Sequence, residues 1–214
     1  MSIQFSPAIA AKAQALGKNG VLSIQNIDLQ ELGERSSPVA LLDHFRVRGR
    51  PFAPHPHAGF SAVSCVLEDS QAGLRSRDSL GNDIVTGPGG IVWTQAGKGV
   101  IHEELTAETD RELHGVQIFV NLSSKNKLAA PQVFRLARSE VPEWRSFAGD
   151  RVRVLVGSFE GVSSPLVPAE PFNLLDVELR REISFSLQNG FVTLSVACRS
   201  VTSAVTIDDD RDQL

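Results

Sequence analysis

The sequence predicts an all-β fold, either a sandwich or a barrel, and three observations support this prediction. Short runs rich in Val, Ile, Leu and Phe recur along the chain, and such runs are typical of strands. Gly, Pro, Asn and Asp separate them, as at 78–82 and 87–90, and these residues favour turns. Helical periodicity is hard to find after residue 17. Many short strands between regular turns are typical of antiparallel sandwiches and barrels.

The predicted elements begin with one short helix. Ser6 and Pro7 precede AIAAKAQALG, and a capping Ser, a Pro at the first helical position and a terminal Gly17 favour that helix. Strands are then expected in order at 21–25, 39–47, 60–67, 73–78, 83–86, 91–95, 113–122, 132–136, 151–159, 174–179, 183–187 and 191–198.

The polar SSKNK segment before Ala129 predicts a domain boundary near residue 130. We therefore expect a helix and lead-in strand over 1–35, a first β-domain over 36–130 and a second over 131–214 with an acidic tail.

Composition excludes several classes of protein. The 214 residues carry a formal net charge of -4 and a pI near 5.7, which argues against a broad basic surface for direct nucleic-acid binding. No apolar run reaches the roughly 18 residues of a membrane span. The N-terminus lacks the basic region and apolar core of a signal peptide, so a cytoplasmic location is expected. Cys65 and Cys198 are then expected to be reduced.

The histidines are concentrated in the first half, and none of the five follows His114. Alternate residues of a strand share a face, so His55 and His57 point the same way. In GKGVIHEEL, residues 97–105, the same period places His102 with Glu104 and turns Glu103 away. Three imidazoles and one carboxylate suit a first-row divalent metal and resemble the ligands of non-haem Fe(II) sites. Zinc sites use the same ligand types, so the ion stays open.

Each histidine motif alone is weak evidence, since a kinked loop can carry two imidazoles by chance. The interval of 45 residues (102 − 57) between the motifs accommodates antiparallel strands that return the second pair beside the first. For His114 there are two interpretations, a residue that orients a ligand or a hydrogen-bonded barrel histidine. His44 is interpreted as structural and Cys65 as an inert buried thiol, with a redox-sensitive position near the pocket as the alternative for Cys65. Trp93 and Phe119 are expected in the core, with contact to an aromatic substrate as the alternative.

Four longer segments resemble one protein family. APHPHAGF, RDSLGN, GPGGIVWTQAGKGVIHEE and LHGVQIFVNL, in this order, are similar to the N-terminal domain of the pirin family, within the cupin superfamily. The resemblance is strongest over 41–122, and VRVLVGSFEGVSSPL and LLDVEL are similar to the start of the family's second barrel. It implies a double-sheet, jelly-roll type cupin barrel followed by a second cupin-like β-domain.

The resemblance also implies a metal centre and two alternative functions. Its ligands would be His55, His57, His102 and Glu104, holding Fe(II) or another divalent ion such as Zn, Mn, Ni or Cu. One implied function is a quercetin 2,3-dioxygenase that opens a flavonol ring with O2, for which Glu104 is the candidate catalytic base. The other is a non-enzymatic, iron- or redox-sensitive regulator that acts through protein partners. A third hypothesis is a metal-binding relic without activity.

The chain departs from the family pattern at several points. The family usually carries Arg after the H-P-H motif, where this chain has Ala58, so a cation near the pocket is missing. The N-terminal 35 residues also differ from the pattern. Because the family's members are longer, the second barrel is expected to be incomplete, and a homodimer is one way to cover an open sheet edge.

Overall fold

Two compact units make up this computed structural model, which describes residues 12–14, 20–27, 29–178 and 193–196. The first unit takes in 37–138 together with the described residues before position 32. The second takes in 32–36 and the described residues from Ser139 onward. The domain boundaries expected from the sequence stay a prediction.

Two antiparallel sheets form the first unit. Its seven-stranded sheet has the order β1-β2-β3-β10-β5-β8-β11, and its four-stranded sheet has the order β4-β9-β6-β7. The strands are β1 Lys12–Gln14, β2 Val21–Asn26, β3 Val39–Val47, β4 Phe52–His57, β5 Phe60–Val66, β6 Leu74–Asp78, β7 Asp83–Thr86, β8 Ile91–Gln95, β9 Val100–Thr106, β10 Leu113–Asn121 and β11 Gln132–Leu136. Short 3₁₀ helices lie at Leu29–Ser36 and Arg138–Glu140.

The core of the first unit lies between its two sheets. Phe45 and Val47 of β3, Val92 of β8 and Leu113 of β10 pack with Leu74 of the four-stranded sheet. Each of these side chains is at most 3% exposed, so the two sheets face each other across an apolar layer. Polar residues on these inner faces therefore sit in a low-dielectric interior.

The second unit is also built from strands. Its four-stranded sheet has the order β12-β13-β16-β17, and β14 pairs with β15. The strands are β12 Glu143–Arg145, β13 Arg151–Val156, β14 Ser158–Phe159, β15 Val162–Ser163, β16 Asn173–Glu178 and β17 Thr193–Val196. Val152, Val154, Phe159, Leu175 and Val177 form its core.

The prediction of an all-β fold is confirmed, because two sheets in the first unit and the sheets of the second account for its architecture. The strands predicted at 39–47, 83–86, 91–95 and 132–136 have the observed bounds. The strand expected at 183–187 lies outside the described residues. No helix in the described part of the chain is long and apolar enough to cross a membrane.

The predicted N-terminal helix is wrong over Lys12–Gln14, which form strand β1. Lys12 pairs with Asn26 and Gln14 with Ile24. The Ala-rich composition favours a helix locally, but propensity is a weak prior that sheet pairing overrides. The rest of that helix lies outside the described residues.

Gly115 of β10 is tightly enclosed by the neighbouring strands. A Cβ at this position would lie 2.6 Å from Cζ of Phe45 and 2.7 Å from the carbonyl oxygen of Cys65. The latter is backbone of the neighbouring strand β5, so it cannot rotate away.

We expect Gly115→Ala to lower the free energy of unfolding by about 1–3 kcal/mol, because the added methyl group overpacks the sheet. Gly87→Ala is the matched control, since nothing lies within 4 Å of a Cβ there, and its effect should stay within about 0.5 kcal/mol. Urea denaturation of the two variants measures both values. Equal stabilities would contradict the packing described for β10.

Candidate metal centre

Strands β4 and β9 bring three histidines to one face of the four-stranded sheet. His55 lies opposite His102 in the antiparallel register, and His57 lies two residues further along β4. Their imidazole nitrogens, one from each ring, lie within 4.8 Å of one another. Residues separated by 45 positions in the chain thus meet because strand pairing returns β9 beside β4.

A bulge in β4 orients His55. Phe52 lies opposite Glu104 and His55 opposite His102, so β4 advances three residues while β9 advances two. Within this bulge the Nδ1 of His55 lies 2.7 Å from the carbonyl oxygen of Ala53. A carbonyl only accepts, so Nδ1 carries the proton and Nε2 keeps a free lone pair.

His57 and His102 face each other through their Nε2 atoms, which are 2.8 Å apart. The side chains are 6% and 1% exposed. Burial, then the charge of His55, lowers the pKa of His57 to about 4. Burial, then the charges of His57 and His55, lowers the pKa of His102 to about 3. Both rings are therefore neutral at neutral pH, which is the form that binds metals.

Glu104 lies on the same face of β9, where it is 2% exposed. Its carboxylate accepts hydrogen bonds from Oγ of Ser64, at 2.8 and 3.0 Å, and from Nε2 of Gln117, at 3.2 Å. Burial raises the pKa of Glu104 to about 7, and the hydrogen bond from Ser64 opposes that rise. The carboxylate is not part of the set of donor atoms within 4.8 Å of one another, so its role as a ligand stays a prediction.

Glu103 takes the opposite direction, as strand alternation predicts. Its carboxylate accepts a hydrogen bond from Nη2 of Arg50 at 2.8 Å and forms an ion pair with Arg77. The guanidinium groups of Arg50 and Arg77 hold the pKa of Glu103 below its usual value, against the opposing effect of burial. Glu103 thus forms ion pairs with two arginines outside the histidine cluster.

The donor set fits a divalent cation. His102 buries its Nδ1 without a hydrogen-bond partner among the described residues, and its Nε2 faces the Nε2 of His57 at 2.8 Å. Buried polar nitrogens without a compensating contact are costly. A first-row metal where the three rings converge would give these nitrogens such a contact, since neutral imidazoles with a carboxylate are ligands for such ions.

Two phenyl rings stand beside the histidine cluster. The centroid of the His57 ring lies 5.0 Å from that of Phe60 and 5.3 Å from that of Phe119, and the two phenyl rings are 4.7 Å apart. Phe60 and Phe119 are both half-buried. They form an apolar wall against which a planar aromatic molecule can pack. Trp93, by contrast, is 1% exposed and belongs to the core.

Sequence reasoning missed the residues that support Glu104. Ser64 and Gln117 are directly opposite each other on β5 and β10, and the available signal was one polar residue in the middle of each predicted strand. His114 lies three residues before Gln117, so alternation places it on the other face of the sheet. It therefore does not orient a ligand in this cluster, and its partners are described below.

Comparison with known proteins identifies relatives of the chain. The family model described as Pirin matches residues 21–120. Human pirin is 33% identical over 170 residues, which cover 78% of this chain and 56% of human pirin. A pirin-like protein of Caulobacter vibrioides is 35% identical over 116 residues, which cover 54% of this chain and 41% of the relative. The chain spans about half the length of the curated relatives it matches.

Solved structures share the architecture. The Geobacillus kaustophilus protein GK1651 has a TM-score of 0.68 and 26% identity, over 78% of this chain and 66% of that chain. A quercetin 2,3-dioxygenase from Acinetobacter baumannii has a TM-score of 0.68 and 24% identity, over 81% and 63%. The Escherichia coli pirin YhhW, solved with nickel(II), has a TM-score of 0.54 and 16% identity, over 72% and 71%. The last two likenesses show the fold alone.

The bond from Ser64 to Glu104 gives a test of the buried carboxylate. With a chelator present and at a pH above the pKa of about 7 of Glu104, Ser64→Ala should lower the free energy of unfolding by about 2 kcal/mol, because a charged acceptor loses a buried donor.

Ser61→Ala is the matched control on the same strand. Its hydroxyl oxygen is buried and has no hydrogen-bond partner within the described residues, so the change should be nearly neutral or stabilising. Chemical denaturation of both variants makes the comparison. A Ser61 variant as unstable as the Ser64 variant would show that the bond to Glu104 contributes nothing.

Proposed function

We propose that the chain, whose residues 21–120 match the Pirin family model, is a pirin-family protein and a metal-dependent dioxygenase of the quercetin 2,3-dioxygenase type. Its substrate would be a flavonol-like aromatic molecule, with O2 as co-substrate. The observation that carries the proposal is the convergence of His55, His57 and His102, all within 4.8 Å of one another. The buried Glu104 and the phenyl wall of Phe60 and Phe119 support it.

The metal would be held by His55, His57, His102 and Glu104. Iron(II) is the ion we propose, since three imidazoles with one carboxylate resemble the ligands of non-haem iron sites. Zn, Mn, Ni and Cu are alternatives with overlapping ligand preferences, and the structural neighbour from Escherichia coli was solved with nickel(II). When bound, the ion supplies Lewis acidity that lowers the pKa of the flavonol 3-hydroxyl group.

Glu104 would act as the general base for that hydroxyl proton when its bond to the metal loosens. Burial raises the pKa of the unbound carboxyl group to about 7, and a base whose pKa lies near the operating pH transfers protons efficiently. Ser64 and Gln117 donate hydrogen bonds to the carboxylate. These bonds fix its orientation before the proton is transferred.

Phe60 and Phe119 would position the aromatic substrate. Their rings flank His57 on the inner side of β5 and β10, where a flavonol ring system can pack in an offset or edge-to-face arrangement. An apolar wall also excludes water from the reacting atoms.

The non-enzymatic regulator is the second candidate function. It is favoured by Ala58, because the family usually carries an arginine at this position.

The neighbouring carboxylates Glu103 and Glu104 provide a matched pair for testing the base. In iron-loaded protein, Glu104→Gln should lower the rate with quercetin by about 100-fold or more, the usual contribution of a general base, with a much smaller loss of bound iron. Glu103→Gln changes the same group on the opposite face, so it should leave rate and iron content near those of the unmodified chain. Elemental analysis and oxygen uptake measure both. An equal loss of iron and rate in Glu104→Gln would assign Glu104 to metal binding alone.

Activity itself separates the two candidate functions. Iron-loaded protein should consume O2 when quercetin is added, and His102→Ala should lose both bound iron and oxygen uptake, because one of the three imidazoles is removed. An oxygen electrode and elemental analysis check this. Full metal occupancy without oxygen uptake would overturn the dioxygenase proposal and support the regulator.

A further inference from the structure

A second pair of facing histidines lies on the other side of the seven-stranded sheet. The Nε2 atoms of His44 on β3 and His114 on β10 are 2.6 Å apart, and the ring centroids are 4.8 Å apart. The pair at the candidate metal centre, His57 and His102, has nearly the same arrangement, with Nε2 atoms 2.8 Å apart. In both pairs, two Nε2 atoms face each other at a distance that needs a proton or a cation between them.

The contacts of the two Nδ1 atoms, which point away from the pair, indicate which nitrogen of each ring carries the proton. The Nδ1 of His114 lies 2.8 Å from Oδ1 of Asp69, and the Nδ1 of His44 lies 3.1 Å from Oε1 of Gln25. Both oxygens are acceptors, so each Nδ1 carries the proton of its neutral ring. Both Nε2 atoms are then left with lone pairs, and they point at each other.

Two facing lone pairs repel unless an electrophile lies between them. An imidazole whose Nδ1–H donates to a carboxylate or an amide oxygen, while its Nε2 keeps a lone pair, has the usual arrangement of a metal ligand. Both rings of this pair have that arrangement.

One negative charge is in direct contact with the pair. The positive charge of Arg46 is paired with Glu112, while Asp69 contributes the negative charge through its contact with His114. The segment that carries Asp69 is anchored to the same residue, since the backbone N–H of His114 donates to Oγ of Ser70 at 3.0 Å. The outer support of the pair is thus built into the fold rather than left to a free side chain.

From these contacts we propose that His44 and His114 form a second cation site, for a divalent ion of the zinc class bound through the two Nε2 atoms. Water completes the coordination. Tetrahedral zinc with Zn–N bonds of about 2.0–2.1 Å holds two ligand nitrogens about 3.3 Å apart, so the rings need to separate by about 0.7 Å. His44 is half-buried and Asp69 half-exposed, so the pair lies near the protein surface. The ion would tie β3 to β10.

Zinc stoichiometry of the full chain tests the proposal without reference to activity. Equilibrium dialysis against zinc(II), with elemental analysis, should find one zinc ion fewer per chain in His44→Ala than in the unmodified protein. His102→Ala should also lose one, and the double variant should lose both, because the two sites lie on opposite faces of the sheet. Asp69→Asn should weaken binding at the second site by about 10–100-fold, as expected for a residue that orients a ligand.

The outcomes separate this site from the candidate metal centre. Equal zinc binding by His44→Ala and the unmodified chain would overturn the proposal and show that the pair shares a proton instead. A loss in His44→Ala with no loss in His102→Ala would support it while contradicting the metal centre of the proposed function. His44→Gln repeats the measurement with a side chain of similar size, and circular dichroism confirms that each variant is folded.

Discussion

The antiparallel pairing of β4 with β9 is the constraint on which the candidate centre depends. It places His55 opposite His102 and, through the period of two, directs Glu104 inward while Glu103 points outward. The bulge in β4 adds a carbonyl, that of Ala53, which holds the outer nitrogen of His55. Without this pairing His102 would be separated from His55 and His57, and burial would only destabilise the three imidazoles.

Much of the fold and the cluster of histidines could be predicted from the sequence, because both rest on strand periodicity. Alternation alone chooses Glu104 over Glu103, and the two carboxylates do point in opposite directions, as their different partners show. The strand at Lys12–Gln14 could not be predicted in the same way, since its conformation is set by pairing with Ile24–Asn26. Local composition there favours a helix, and long-range pairing overrides it.

The supporting residues were harder to find for a different physical reason. Ser64 and Gln117 become recognisable only when β5 and β10 are known to be neighbours, and the sequence does not state which strands pair. The same is true of His44 and His114, which lie 70 positions apart. Because side chains alternate along β10, Gln117 and Phe119 point to the candidate centre and His114 points away from it.

The two arginines around Glu103 have a consequence for how the chain reaches its native register. A slip of one residue in β9 that moves His102 to the position of Glu103 would turn Glu103 inward and leave Arg50 and Arg77 without their shared carboxylate. It would also expel His102 and Glu104 from the inner face. A misaligned strand therefore loses its ion pairs on one face as well as its histidine cluster on the other. Losing both sets of contacts widens the energy gap between the native strand register and the slipped register. The charge network of Glu103, Arg50 and Arg77 therefore helps to specify the geometry of the histidine cluster without contacting it.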